Sequence, residues 1–235
     1  PFLFGNGGLY FNAGSRKRLH AKSAVRIIIC DGVTLHLTAT RFLLSRQIKN
    51  NNDHKDFIMK VLAFGTSNSR NSINQKLARY SAAQIDDAID NVNVTLLDIH
   101  DLEMPIFSEE REKESGIPAF AHDFYQAIGE ADAIVISFAE YNGSYTSAYK
   151  NLFDWASRID MKVYQDKPMI MLSTSPGPSG AQSVLAAAEG SAPFFAADVK
   201  GALSLPNFFD NFDAETGVVT DEAFNQKLNE AISAL

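Results

Sequence analysis

Cysteine occurs once in 235 residues, as Cys30. No disulfide framework can therefore staple this chain, and the composition fits a reducing compartment, the cytoplasm. No uncharged run reaches the roughly 18 apolar residues that a bilayer-spanning helix needs, although 46% of the residues are hydrophobic. Positive charge is in deficit: 21 Lys and Arg stand against 28 Asp and Glu, a net charge of −7. That balance speaks against a general nucleic-acid binder. Two nucleotide signatures are missing as well, the Gly-Lys-Ser/Thr of a Walker loop and G-x-G-x-x-G, so ATP and Rossmann-type NAD readings lose their support. No metal-ligand pattern is present, and Glu109, Glu110, Glu112 and Glu114 form a charge run that reads as a solvated loop. What these absences leave is a globular chain long enough for one sizeable core.

The charge is unevenly spread. Residues 1–58 hold nine Lys or Arg and three acids, whereas the remainder holds 12 basic and 25 acidic residues. The first methionine is Met59, directly before the strand-like "KVLAFG". We therefore expect residues 1–58 to be an extension foreign to the chemistry, with the natural start near Met59. Two other readings stand beside it. "VRIIICDGVTLHLTAT" is a fair hairpin pattern around Asp31-Gly32, and a basic, acid-poor leader also suits an organelle-targeting peptide.

From Met59 onward the pattern is regular. Strands are expected at residues 60–65, 93–99, 133–138, 167–174 and 198–205, each a compact apolar run. Helical spacing marks residues 72–89, 118–129, 146–157, 179–191 and 221–235. Residues 100–118 are polar and proline-marked and read as a loop. Five alternations of strand and helix, with strands apolar on both faces, imply a parallel sheet covered on each side. Right-handed crossovers then favour an α/β, flavodoxin-like, doubly wound five-stranded sheet in a three-layer α/β/α sandwich, of order 2-1-3-4-5.

In such sheets ligands sit beyond the carboxyl ends of the strands, where strand order reverses. Three loops lie there. The first, "GTSNSRNSIN" (residues 65–74), gathers hydroxyls, amides and Arg70 ahead of a helix, the donor set an anion needs at a helix N-terminus. The plainer reading is a cap by Ser69 or Ser72. The second, "AEYNGS" (139–144), offers Tyr141 to a flat ring and Gly143 for close backbone approach. It reads equally as the start of a helix capped by Ser144 or Thr146. The third, "STSPGPSGA" (173–181), is stiffened by two prolines and could wall a planar ligand or serve as a rigid connector.

Residues 59–235 resemble the NAD(P)H-dependent FMN reductase family of flavodoxin-like proteins, which includes quinone, azo-dye and chromate reductases. The family reads G-S-x-R-x-x-S-x-N after its first strand, P-E-Y-N-G/H-S after its third, and then L-K-N-x-x-D-W. Here the equivalents are Gly65-Thr66-Ser67, Arg70 and Ser72-Ile73-Asn74, then Ala139-Glu140-Tyr141-Asn142-Gly143-Ser144, then Tyr149-Lys150-Asn151-Leu152-Phe153-Asp154-Trp155. Ala139 replaces the proline, and one extra residue in the first motif leaves Ser69 and Arg70 as rivals for the arginine position.

The resemblance implies that Ser67, Ser69 or Arg70, Ser72, Ile73 and Asn74 surround an FMN phosphate. Glu140, Tyr141, Asn142 and Gly143 would line the ring, and Ser175 and Gly177 would close over it. It also implies NADPH or NADH as co-substrate, a small-molecule acceptor, and a homodimer or homotetramer to which the helix of Lys150, Asn151, Asp154 and Trp155 contributes. No side-chain nucleophile is then expected, because the cofactor carries the chemistry. His100 and His122 read as surface or structural residues. A flavodoxin-type electron carrier, or a regulatory protein of this fold without turnover, is the alternative.

Overall fold

The computed structural model describes residues 58–100 and 103–235. The hairpin pattern around Asp31-Gly32 lies outside the described residues. In chain order the elements are β1 (Met59–Gly65), α1 (Ile73–Ala88), β2 (Val92–Leu96), α2 (Glu109–Ser115), α3 (Ala119–Glu130), β3 (Ala133–Phe138), β4 (Glu140–Tyr141) and β5 (Ser144–Tyr145). They continue as α4 (Ser147–Ala156), β6 (Lys167–Thr174), α5 (Gln182–Ser191), β7 (Ala197–Leu205), α6 (Phe208–Asn211), β8 (Phe212–Asp213), β9 (Val218–Val219) and α7 (Glu222–Ile232).

The period of two along each strand builds the layers. From β1, Leu62 and Phe64 point into one core, with Ile134, Ile136 and Phe138 of β3 and Met169 and Met171 of β6. Phe124 and Ile128 of α3, Tyr149 and Leu152 of α4, and Val184 and Leu185 of α5 cover them. The alternate residues Val61, Ala63, Ala133, Val135, Ile170 and Leu172 face a second core. That core is closed by Leu77, Tyr80 and Ile85 of α1 and by Phe224, Leu228 and Ile232 of α7. Each such side chain taken fully out of water contributes about 1.5–3 kcal/mol. The five long strands run parallel in the order β2-β1-β3-β6-β7. This is the flavodoxin-like sheet expected, with helices on both faces. A bulge in β7 leaves Lys200 between the partners of Met169 and Ile170.

Three expectations need correction. The acidic run is not a loop: residues 109–115 form α2, because Ser108 accepts from the Arg111 N–H as N-cap and three glutamates occupy the first turn, where the helix dipole favours them. Residues 139–144 are more than a turn into a helix, although Thr146 does cap α4 as one reading expected, accepting from the Tyr149 N–H at 3.2 Å. Asn142 and Gly143, at φ 54° and 76°, form the two-residue corner of the hairpin β4–β5, the geometry that Asn-Gly favours. Finally, α5 starts at Gln182 and not at Ser179, because Gly180 and Ala181 are left-handed at φ 58° and 63°. Among the described residues, no helix is long and apolar enough to cross a membrane.

Candidate functional site

At the carboxyl edge Gly65 of β1 pairs with Ser137 of β3, and Phe138 of β3 pairs with Ser173 of β6. The chain leaves the sheet at three neighbouring points, astride the reversal of strand order. Gly65 is required there: a Cβ on it would lie 2.4 Å from the Gln75 nitrogen and 2.7 Å from the Asn74 carbonyl carbon. Its absence lets α1 start directly against β1, and Gln75 ties the joint by accepting from the Gly65 N–H at 2.6 Å and donating to Leu97 at 3.0 Å.

The first loop divides into a buried half and an open half. Thr66 and Ser67 are buried, whereas Asn68, Ser69, Arg70 and Asn71 are exposed. The Thr66 hydroxyl accepts from the Ala139 N–H at 2.8 Å, and its carbonyl accepts from the Thr146 hydroxyl. These two bonds lock the first loop to the second. The Ser67 hydroxyl lies 3.2 Å from the Tyr141 hydroxyl and accepts from the Ser69 N–H at 3.2 Å. Ser72 is the N-cap of α1 and accepts from Gln75 at 3.1 Å, so the plain capping reading holds for Ser72. A hydroxyl that accepts still has its own proton to donate. Ile73 packs against the core behind the loop.

Arg70 projects outward, and its Nε donates to His100 Nε2 at 3.0 Å. The histidine is therefore not remote from the site. It follows β2, which lies beside β1, and its own N–H is held by Asp98 at 2.9 Å. Reading only the loops after the first, third and fourth strands missed it. The position beside β1 was the signal.

Asn74 is placed differently from the expectation drawn from the resemblance. It is buried, and its side-chain oxygen accepts from the Ser137 hydroxyl at 2.8 Å and from the Thr174 N–H at 3.1 Å, while its amide donates to the Thr174 carbonyl at 3.1 Å. It is a strut joining α1 to β3 and β6, beneath the loops. Ser137 and Thr174, which sequence reasoning did not single out, are its partners in that layer. Their signal was a hydroxyl at the polar end of an otherwise apolar strand.

In the second loop the hairpin holds Tyr141 out, 48% exposed, with Gly143 beside it. The Glu140 side chain turns away and accepts from the Val184 N–H at 2.9 Å, a carboxylate at the N-terminus of α5 where the dipole favours it. In the third loop the Ser175 hydroxyl donates to the Gly177 carbonyl at 3.2 Å. The carbonyls of Ser175 and Gly177 accept from Phe208 and Asn207 at 3.0 Å each, which pins this loop to α6.

The sequence-predicted residues thus form two groups. Ser67, Ser69, Arg70 and Ser72 present donors at the start of α1, and Tyr141, Asn142, Gly143 and Gly177 border open space. A Cβ added to Gly143 or Gly177 would meet nothing within 4 Å. Among the described residues, no acceptor takes the backbone N–H groups of Asn68, Arg70, Asn71 or Ile73. Free N–H groups at a helix N-terminus, hydroxyls and one guanidinium are the donor set of a phosphate monoester, so these residues fit the phosphate end of FMN. The motif at α4 is partly internal: Trp155 and Asn151 donate to the Pro105 carbonyl at 2.7 and 3.2 Å, and Asn151 accepts from the Phe107 N–H at 2.9 Å, while Lys150 is exposed and pairs with Asp154 at 2.6 Å.

Known proteins are similar to this chain. An NADPH:quinone oxidoreductase of Arabidopsis thaliana is similar, 31% identical over 126 residues, which is 54% of this chain. That match spans 63% of the relative, under two thirds of its length. An NAD(P)H:quinone oxidoreductase of Solanum tuberosum is 30% identical over 190 residues, covering 76% of this chain and 91% of the relative. Among solved structures, FerB, a flavoenzyme NAD(P)H:(acceptor) oxidoreductase from Paracoccus denitrificans, is similar with a TM-score of 0.57 at 25% identity, over 75% of this chain and 94% of its own. An azoreductase from Bacillus anthracis shares the fold, with a TM-score of 0.51 at 18% identity over 75% of this chain and 98% of its own. Residues 59–227 match the model of the family described as NADPH-dependent FMN reductase, and the chain belongs to that family.

Proposed function

We propose that this protein is an FMN-dependent oxidoreductase that takes a hydride from NADPH or NADH and passes the electrons to a small acceptor of the quinone class. The observation that carries the reading is the pairing of an anion cradle at the start of α1 with an open, glycine-bordered ledge at the hairpin and at Gly177, joined across the sheet edge by Thr66 and Ser67. The hydride chemistry is the flavin's own. The chain's part is to bind and orient. Ser67, Ser69, Arg70, Ser72 and the free N–H groups beside them hold the phosphate. Tyr141, Asn142 and Gly143 border one side of the ring, and Ser175 and Gly177 the other. Relatives whose names specify quinone oxidoreductases support the acceptor class.

The absorbance spectrum of the purified protein, followed by NADPH and NADH oxidation with a quinone, tests this directly. A flavin spectrum with turnover is expected. Protein that FMN neither colours nor stabilises thermally would refute the reading, and bound flavin without turnover would favour an electron carrier. A homodimer or homotetramer working in the cytoplasm is part of the same proposal, and light scattering of the purified protein reads the assembly.

A further inference from the structure

A cavity of about 290 Å³ lies between α4 and the turn that follows α5, lined by Tyr145, Tyr149, Phe153, Met161, Tyr164 and Phe195 among others. It runs along the flank of α4 from Tyr145 of the β4–β5 hairpin to Tyr164, which precedes β6 at the opposite end of the sheet. Tyr149 and Tyr164 are 2% and 4% exposed, with their hydroxyls 2.8 Å apart.

Two hydroxyls carry two protons, and the bond between them uses one. Among the described residues, no other group bonds to either oxygen, so the second O–H has no acceptor. Burial raises both phenols above their ordinary range, which keeps both protons in place at neutral pH. A buried donor left unpaired costs about 1–3 kcal/mol, and both tyrosines line the cavity. The walls around this donor are aromatic. Phe153 and Phe195 meet edge to face with centroids 4.7 Å apart, and Phe153 lies 5.5 Å from Tyr164. Lys150 and Asp154, also in the lining, pair with each other at 2.6 Å. The Ser157 and Ser191 hydroxyls of the lining already donate to the Asp154 and Ala188 carbonyls, and a buried phenol donor beside aromatic walls is complementary to a flat molecule with a strong acceptor.

We propose that this cavity is a second small-molecule site, which binds a one- or two-ring aromatic carbonyl compound with its ring against Phe153 and Phe195 and its oxygen accepting from the tyrosine pair. The site does not rest on the oxidoreductase reading. Its test uses 1-tetralone, with tetralin as the same skeleton lacking the carbonyl, titrated by ligand-observed NMR into the full chain both saturated with FMN and stripped of it. 1-Tetralone should bind about three- to tenfold tighter than tetralin, the worth of one hydrogen bond, with or without FMN. Tyr149→Phe and Tyr164→Phe should each keep the preference, because the remaining hydroxyl still donates. The double variant should lose the preference while still binding tetralin, which also reports that the fold is intact. Ser191→Phe, at the cavity wall, should weaken both compounds. Equal affinity for the two compounds, a preference that survives in the double variant, or no binding at millimolar concentration because the void holds only water, would each overturn the proposal.

Discussion

Asn74→Ala separates a strut from a ligand. The side chain is 3% exposed and makes three hydrogen bonds, to the Ser137 hydroxyl and to both backbone groups of Thr174. Ser137 and Thr174 are themselves 0% and 1% exposed, so alanine leaves buried partners with no replacement in water. At about 0.5–1.5 kcal/mol for each bond, with unpaired groups at the upper end, the loss is about 2–4 kcal/mol. For a domain of this size that corresponds to a fall in Tm of about 5–15 °C. Urea and thermal unfolding of the flavin-free protein, followed through Trp155, the single and fully buried tryptophan, measures it. Asn74→Asp should fare no better, because a carboxylate cannot donate to the Thr174 carbonyl and its charge would be buried. A loss below about 0.5 kcal/mol without flavin, together with a large fall in FMN affinity, would refute the strut and return Asn74 to the phosphate.

The other predictions concern the loops and the buried phenols. Arg70→Ala should weaken FMN binding at least about tenfold, the low end for a charged hydrogen bond, while unfolding of the flavin-free protein barely moves; unchanged FMN affinity by fluorescence titration would place the phosphate elsewhere. Gly65→Ala drives a methyl into the backbone of Gln75 and Asn74 at 2.4–2.8 Å and should cost at least about 1–3 kcal/mol; a denaturation midpoint equal to the parent's would show that the joint gives. Gly143→Ala meets open space, so its cost is the left-handed φ of 76° alone, about 1–2 kcal/mol, and an unshifted midpoint would contradict the hairpin. Burial raises Tyr149 and Tyr164 above the ordinary phenol value of 10.0. The unfolded chain therefore loses these protons first, and the stability they contribute is intact below pH 10 and lost as pH rises past it. Urea midpoints from about pH 8 to about pH 11.5 should fall, and fall less in the double phenylalanine variant; identical slopes for the two proteins would refute this.

The sheet was legible because its strands carry their own signal. Runs such as "AIVISF" and "KPMIMLST" are apolar on both faces, and only a parallel sheet with helices on each side buries both. The acidic run misled because charge density reads as solvation. What decided between loop and helix was Ser108, three residues ahead of Arg111, whose N–H its side chain accepts, a short-range capping signal inside a long polar stretch. The hairpin was also written in the chain. Asn142-Gly143 is a strong two-residue turn signal, but the flanking strands are two residues each, too short to show alternation.

The site divides along the same line. Residue types announce donors, so the hydroxyls and guanidinium of residues 67–72 could be found by composition alone. Residue types do not announce which donors are already taken, and that depends on neighbours distant in sequence. Asn74 bonds across 63 and 100 residues to Ser137 and Thr174, and Glu140 across 44 to the start of α5. Arg70 meets His100 only because β2 lies beside β1. A motif therefore mixes two kinds of residue under one pattern: those with donors still free for a ligand and those already used to hold the loops in place. In the stretch from Thr66 to Asn74 the buried Thr66 and Asn74 hold, and the exposed Ser69 and Arg70 face outward. Which donors are already spent depends on partners brought together by the fold, and that is the property a linear pattern cannot display.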